Sequence, residues 1–399
     1  MSLQITVLYK KIIFTSAALL LFRVLSAFPL PFLRAHEDAT GAAQPKSVFI
    51  GGALADRSIT ALGVMPAIIS LLLYQTIQNS LPYLKKINES GVQGLRQKEK
   101  IQRVLAAAVA VVSALIYEKR ARLNYGFHDG SDKMVTRCLI VVLLYLGFVI
   151  STQLAHLIMK KGIGNGVSLI LVTSIMTNLG KGAETISVNI GIIQSVSLIL
   201  AGCTLSLIGL LATVGRDLST ESSNSRSNHR SRIEFRLLSS GATPMILAYS
   251  VLTPMFWVLG NINQSLVQGV VNNYATAGLL TVFMYYLFSR FWVRTNQDSV
   301  EIANNLLISG RVLKNAKPGW STASDIHAMT VFTTYSSSLI VGAILLTPIL
   351  INDLNYNAYL SYIGVSSIIV VPLLYDFYRE MLNEIRLTKM SNSLFNNQR

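Results

Sequence analysis

The chain has 399 residues, 51% of them hydrophobic and only 13% charged, with a mean hydropathy of +0.49 and a formal net charge of +15. That composition excludes a soluble globular domain and a fibre, and it describes a polytopic membrane protein. In a membrane protein a charge of this sign belongs to a positive cytoplasmic face rather than to nucleic-acid binding.

Apolar runs bounded by charged or turn residues predict ten membrane helices: 11–30, 59–79, 103–118, 138–158, 166–180, 189–214, 242–260, 274–293, 328–350 and 360–377. The first follows Lys10-Lys11 and contains Arg23; it is too long for a signal peptide and lacks a small-residue cleavage site. Arg23 is expected to snorkel or to bond backbone carbonyls. The outer segment 31–58 carries Gly41, Pro45, Gly51 and Gly52 around Val48-Phe49-Ile50, the pattern of a re-entrant element. Such backbone is tolerated at membrane depth only under cover of protein or water.

The second span holds Gly63-Val64-Met65-Pro66-Ala67-Ile68, and Gly241-Ala242-Thr243-Pro244-Met245-Ile246 repeats its Gly-x-x-Pro-x-Ile spacing 178 residues later. A second echo links Gly166-Val167-Ser168-Leu169-Ile170-Leu171-Val172 with Gly364-Val365-Ser366-Ser367-Ile368-Ile369-Val370, offset by 198. Gly- and Pro-interrupted helices in corresponding positions mark a repeat-built channel or transporter, with its working site at the repeat interface. The third and fifth spans are short for a hydrocarbon core of about 30 Å, so neighbours shield them or their flanks extend them.

Cys138 and Cys203 fall in spans and read as small packing residues. His156 has no partner by spacing and reads as a packed or interfacial histidine. Segment 215–240, rich in Ser, Asn and Arg, reads as a mobile polar loop. The second large loop, 294–326, pairs basic residues with Pro318-Gly319 and the isolated Trp320, a surface suited to docking a partner.

Counting Lys and Arg on alternate sides gives 24 on the side of the N terminus and nine on the other, which places both termini in the cytoplasm. Segment 119–137 dissents with five positive charges on the outer side. All 19 acidic residues lie in loops or at span ends. An ion-coupled transporter generally keeps an ionisable group at mid-membrane, and an intramembrane enzyme needs a nucleophile paired with a base; no span offers either.

The ordered set Phe49-Ile50-Gly51-Gly52-Ala53-Leu54, Ala61-Leu62-Gly63-Val64-Met65-Pro66, Pro82-Tyr83-Leu84, Lys161-Gly162-Ile163-Gly164-Asn165-Gly166-Val167-Ser168, Ile302-Ala303-Asn304-Asn305-Leu306 and Lys317-Pro318-Gly319 resembles the SecY family of protein-conducting channels over nearly the whole chain. The resemblance implies an all-α membrane protein of ten helices in two inverted halves, 1–185 and 186–399, hinged between helices five and six around a central pore. It implies a pore ring at Val64, Ile68, Val167, Leu171, Ile246 and Ile369, a plug in 41–57 including Phe49, Ile50, Gly51 and Gly52, and a lateral gate at Gln75 and Tyr249. A SecA-type motor ATPase or the ribosome would dock on Arg311, Lys314, Lys317 and Trp320. SecE-like and SecG-like small subunits would attach, and the substrates would be unfolded secretory polypeptides with signal sequences. No cofactor, metal or catalytic residue is implied. Lys317 stands where the family usually has Arg, segment 215–240 is shorter than usual and the link 261–273 is brief. These departures keep open an accessory SecY dedicated to glycosylated adhesins, or a plastid SecY, beside a plasma-membrane channel. A small-solute transporter is the reading of a different class.

Overall fold

The computed structural model describes residues 2–31, 58–80, 84, 91–125, 134–186, 215–222, 231–236, 243–262, 274–296, 299–313, 319–346 and 354–396. Its helices are α1 (Ser2–Ala27), α2 (Met65–Ser80), α3 (Gly91–Tyr125), α4 (Met134–Lys161), α5 (Gly166–Ile186), α6 (Thr243–Ile262), α7 (Tyr274–Asn296), α8 (Ser299–Ile308), α9 (Trp320–Leu346) and α10 (Leu354–Asn396). Three strands, β1 (Gly215–Ser222), β2 (Ser231–Arg236) and β3 (Arg311–Leu313), complete it. Nine of the ten predicted spans therefore coincide with a helix, and the sixth, 189–214, lies outside the described residues. α8 was not among the expected spans.

The differences from expectation are local and have physical reasons. The second span was expected from residue 59, but the helix starts at Met65, because Gly63 takes a left-handed φ of 52°. α3 has 35 residues and α10 has 43, about 52 and 65 Å at 1.5 Å per residue. Both overrun a bilayer, so the short third span is extended by its flanks, and the tenth runs on past Phe377 as a charged helix.

Segment 215–240 is not a featureless loop: β1 pairs antiparallel with β2, Gly215 opposite Arg236 and Thr220 opposite Ser231, and β3 joins the other edge of β1. The alternation Arg232-Ile233-Glu234-Phe235-Arg236 is a period-2 strand pattern that the Ser/Asn-rich composition around it concealed. Similarly, loop 294–326 contains α8, whose Val300, Ile302, Ala303, Leu306 and Leu307 follow helical spacing.

The chain divides into two compact units, Met1–Asn189 with Leu373–Arg399, and Ile190–Pro372. In the first, α3 packs along α2 and α4, and α1 along α4 and α5. Its core is Leu30, Ala61, Leu62, Ala110, Ala114, Tyr117, Ile140, Leu144 and Phe148. Lipid supplies no hydrophobic drive between helices, so they associate by close packing of small residues. Ala110 and Ala114 provide this on α3, and Gly147 on α4 lies directly against the Ile59 carbonyl. The opposite faces expose Val104, Val111, Val112 and Leu115 on α3, and Leu139, Val142, Leu146 and Ile150 on α4. Exposed aliphatic stripes on helices of mean hydropathy 1.6 and 2.3 face acyl chains.

In the second unit α7 packs along α6 and α9, and a small core of Ala303, Leu313, Ala323 and Ile326 joins α8 and β3 to the start of α9. α9 buries Thr330, Thr333, Thr334, Ser337 and Ser338. Each of these hydroxyls donates to a carbonyl three or four residues back, so the polar stripe is satisfied within its own helix.

Gly147→Ala should destabilise the protein by about 1–3 kcal/mol through collision with backbone. Gly342→Ala, whose added methyl meets only the Val282 side chain at 3.3 Å, should cost much less. Thermal unfolding of the purified variants in detergent checks the contrast.

Candidate functional site

The two copies of the hexapeptide place their proline and isoleucine at the same positions of a helix. Before α2 the chain turns tightly: Ile59 donates its amide to the Phe28 carbonyl at 3.1 Å, Ala61 to Ser58 at 3.0 Å and Gly63 to Thr60 at 2.8 Å. The Val64 carbonyl then accepts from both Ala67 and Ile68, which begins the helix. Pro66 is the second residue of α2 and Pro244 the second residue of α6. A proline belongs there, since the first-turn amides have no intrahelical partner. Ile68 and Ile246 are consequently each the fourth residue of their helix. The second echo is not equivalent in this way, for Gly166 opens α5 whereas Gly364 lies inside α10.

Among the six expected ring residues, Val64, Leu171, Ile246 and Ile369 are buried, and Ile68 and Val167 half-buried. The four-residue spacing puts Val64 and Ile68 one above the other at the head of α2, and Val167 and Leu171 likewise at the head of α5. These four belong to the first unit, and Ile246 and Ile369 to the second.

The Gly-Ile-Gly-Asn-Gly segment forms the turn between α4 and α5, and each glycine has a steric reason. A Cβ on Gly162 would strike the Thr15 hydroxyl, one on Gly166 the Ala155 carbonyl, and one on Gly164 the Phe377 ring at 2.6 Å. Gly164 also takes a φ of 84°. Thr15 Oγ1 accepts the buried Ile163 amide at 3.0 Å and donates to the Lys11 carbonyl at 2.9 Å, tying α1 to the turn. Asn165 Oδ1 accepts the Val167 amide at 3.1 Å and caps α5. Lys11 reaches Glu384 at 2.9 Å, so the charged end of α10 docks on the same corner. Sequence reasoning missed Thr15, Phe377 and Glu384; a threonine facing into an apolar helix was the available signal.

At the expected gate, Gln75 is half-buried with Oε1 inaccessible and without a hydrogen-bond partner among the described residues. The adjacent Tyr74 hydroxyl and the Gln102 amide nitrogen on α3 share that condition. Lys98 Nζ sits 5.8 Å from the centre of the Tyr74 ring. Tyr249 lies in the second turn of α6. At the expected docking loop, Arg311 opens β3 opposite Ser222 of β1. Trp320 opens α9 with 83% of its surface exposed, immediately after Gly319 at a φ of 106°. The plug residues Phe49, Ile50, Gly51 and Gly52, and the loop residues Lys314 and Lys317, lie outside the described residues.

The remaining candidates are resolved simply. Arg23 is exposed four residues from the end of α1, its Nη1 3.5 Å from Ser26 Oγ, so it reaches the interface rather than the interior. His156 is exposed, and Cys138 is a free, exposed thiol. Arg137 of the dissenting outer segment lies 4.0 Å from Glu118.

A family model described as SecY matches residues 58–378. The protein translocase subunit SecY of Mycoplasma pneumoniae is 26% identical over 407 residues, an alignment covering 91% of this chain and 83% of that protein. Its counterpart in Aquifex aeolicus is 25% identical and covers 94% of both. Among solved structures, one described as a protein conducting channel superposes with a TM-score of 0.66 at 14% identity, covering 94% of this chain and 92% of that one. Sec61 in the canine ribosome-channel complex from the endoplasmic reticulum gives 0.64 at the same identity and coverage. The fold is therefore that of the protein-conducting channels.

Thr15→Val keeps the shape of the side chain but leaves the buried Ile163 amide unpaired, which should cost about 1–3 kcal/mol. Thr15→Ser should recover most of it in the same unfolding measurement.

Proposed function

This chain belongs to the SecY family, and from that premise we propose that it is the channel subunit of a protein translocase. It passes unfolded secretory polypeptides across the membrane in which it is embedded and releases transmembrane helices sideways into lipid. The observation that carries this reading is the repeated Pro-x-Ile helix start, which sets Ile68 and Ile246 at the same position of two helices, one in each unit.

Val64, Ile68, Val167, Leu171, Ile246 and Ile369 form the pore ring, and all are aliphatic. Such a ring seals by packing and dewetting and offers a passing chain no polar partner that would trap it. Gln75 and Tyr249 line the lateral gate, and Phe49, Ile50, Gly51 and Gly52 belong to the plug. Sorting at the gate follows from transfer energetics: an apolar segment gains by moving from water to lipid and a polar one does not. The halves 1–185 and 186–399 are the inverted repeats. The channel performs no chemistry of its own and draws its energy from a SecA-type motor or the ribosome, docked on Arg311, Lys314, Lys317 and Trp320. SecE-like and SecG-like subunits complete the complex in a plasma membrane, with both termini cytoplasmic.

Two experiments test this. An export-arrested secretory chain should form disulfides with single cysteines at Val64, Leu171 and Ile246, in a background lacking Cys138 and Cys203. No cross-link from a folded channel with a properly arrested chain would return the protein to the solute-transporter class. Lys317→Glu should cut motor-driven export severalfold while channel assembly, followed by copurification of the complex, stays intact; normal export would remove this loop from the docking site.

A further inference from the structure

A second site lies wholly within the second unit, between the cytoplasmic ends of α7 and α9. Tyr286, Arg290, Val293 and Arg294 of α7 face His327, Thr330, Val331, Thr334 and Tyr335 of α9 across a cleft of about 450 Å³, with Ser299 of α8 at its end. The helices run antiparallel here, so the cleft is graded along its length. At the membrane-ward end Tyr286 donates its hydroxyl to Tyr335 at 3.1 Å, the two rings 5.6 Å apart. One and two turns farther along α7 come Arg290 and Arg294, and His327 lies about two turns before Tyr335 on α9. Buried Val293, Thr330 and Thr334 form the floor, and the two guanidinium groups are exposed at the rim.

The polar groups at the rim are chiefly donors, and no carboxylate among the described residues forms an ion pair with either arginine. Arginines near a helix C-terminus are favoured by the helix dipole and often simply reach for water. Here they lie on two consecutive turns of one face and line one concave cleft with a histidine, Arg290 also bonding the Tyr286 hydroxyl, a set of donors suited to a tetrahedral oxyanion. The volume suits one polar head group.

The other end of the cleft identifies what carries that anion. Val331 and Tyr335 line the cleft and are themselves exposed, and they continue into exposed Phe332 and Leu339 on α9. Phe283, Leu287 and Phe291 are exposed on α7 alongside. A ligand that fits throughout has a phosphate at its cytoplasmic end and acyl chains at the other. Free phosphate would leave the apolar half of the surface unused. The cytoplasmic leaflet is where anionic phospholipids gather and where basic residues at the interface attract them.

We propose that this cleft holds one anionic phospholipid of the cytoplasmic leaflet, its phosphate gripped by Arg290 and Arg294 and its acyl chains laid along Val331, Tyr335 and the apolar stripes beyond. The site is separate from the pore, and its occupancy does not depend on the translocation reading.

The test is native mass spectrometry of the full-length complex titrated with phosphatidylglycerol or with phosphatidylcholine of the same acyl chains. At about 1 kcal/mol per basic residue, Arg290→Gln with Arg294→Gln should weaken the tightest phosphatidylglycerol site roughly 30-fold, and Arg294→Gln alone about fivefold. Phosphatidylcholine binding should not move, and Arg290→Lys with Arg294→Lys should retain most of the affinity. Thermal unfolding verifies that each variant is folded; should the double variant not fold, the single variant decides. Unchanged phosphatidylglycerol binding overturns the proposal. Displacement of the lipid by an equal concentration of glycerol phosphate overturns the lipid assignment in favour of a free phosphate. A loss of ribosome binding with lipid binding intact reassigns the arginines to a partner and likewise overturns it.

Discussion

A buried backbone amide must find a partner within the protein. At the turn between α4 and α5 the Ile163 amide finds it in one side chain: Thr15 of α1 accepts it, and the same hydroxyl bonds back to Lys11. The arrangement works only because Gly162, Gly164 and Gly166 have no Cβ to hold α1, α10 and α4 away. Three helices thus converge on five residues, and α5 leaves the corner with its N-terminus capped by Asn165 and its direction fixed. Val167 and Leu171 are placed by that direction. The motif that looks like a family signature in the sequence is a packing requirement in the structure.

The same economy explains what could be read from sequence and what could not. Long apolar runs locate helices because lipid demands them, and Pro66 and Pro244 locate two helix starts because proline has no amide to lose there. The start of α2 was misplaced by six residues because apolar Ile59–Leu62 looks like helix, while the left-handed Gly63 that stops it is a single residue. The β1–β2 hairpin was hidden because only β2 alternates cleanly; β1, Gly-Arg-Asp-Leu-Ser-Thr-Glu-Ser, gains its strand character from its two neighbours. Thr15 and Phe377 were beyond reach for another reason. Their roles depend on contacts with the α4–α5 turn nearly 150 and more than 200 residues away, which no local periodicity encodes.

Hydroxyl chemistry in α9 shows how polar content is carried through a span without cost. A stripe of buried serines and threonines would suggest a hydrophilic path, yet each hydroxyl of the stripe is spent on its own helix. Buried but satisfied groups of this kind bend or soften a helix more than they bind anything. The groups with binding capacity on this helix are those near its N-terminal end, where His327 lines the same cleft as Arg290 and Arg294.

α2 presents the opposite case. Its head is aliphatic, with Val64 and Ile68, while seven residues past Ile68, about 10 Å along the axis, Tyr74 and Gln75 hold buried polar atoms that have no partner among the described residues. An unpaired buried polar group costs about 1–3 kcal/mol, and any state that supplies a partner recovers that cost. Water entering beside α2 would do so, and so would the peptide groups of another chain. The aliphatic head gains nothing from such a visitor beyond van der Waals contact. One helix therefore combines a stretch indifferent to sequence with a stretch that rewards occupancy by something polar. The channel proposed above, which must stay shut when empty, open to a polypeptide and yet not retain it, would draw on both properties, and α2 places them in that order along a single axis.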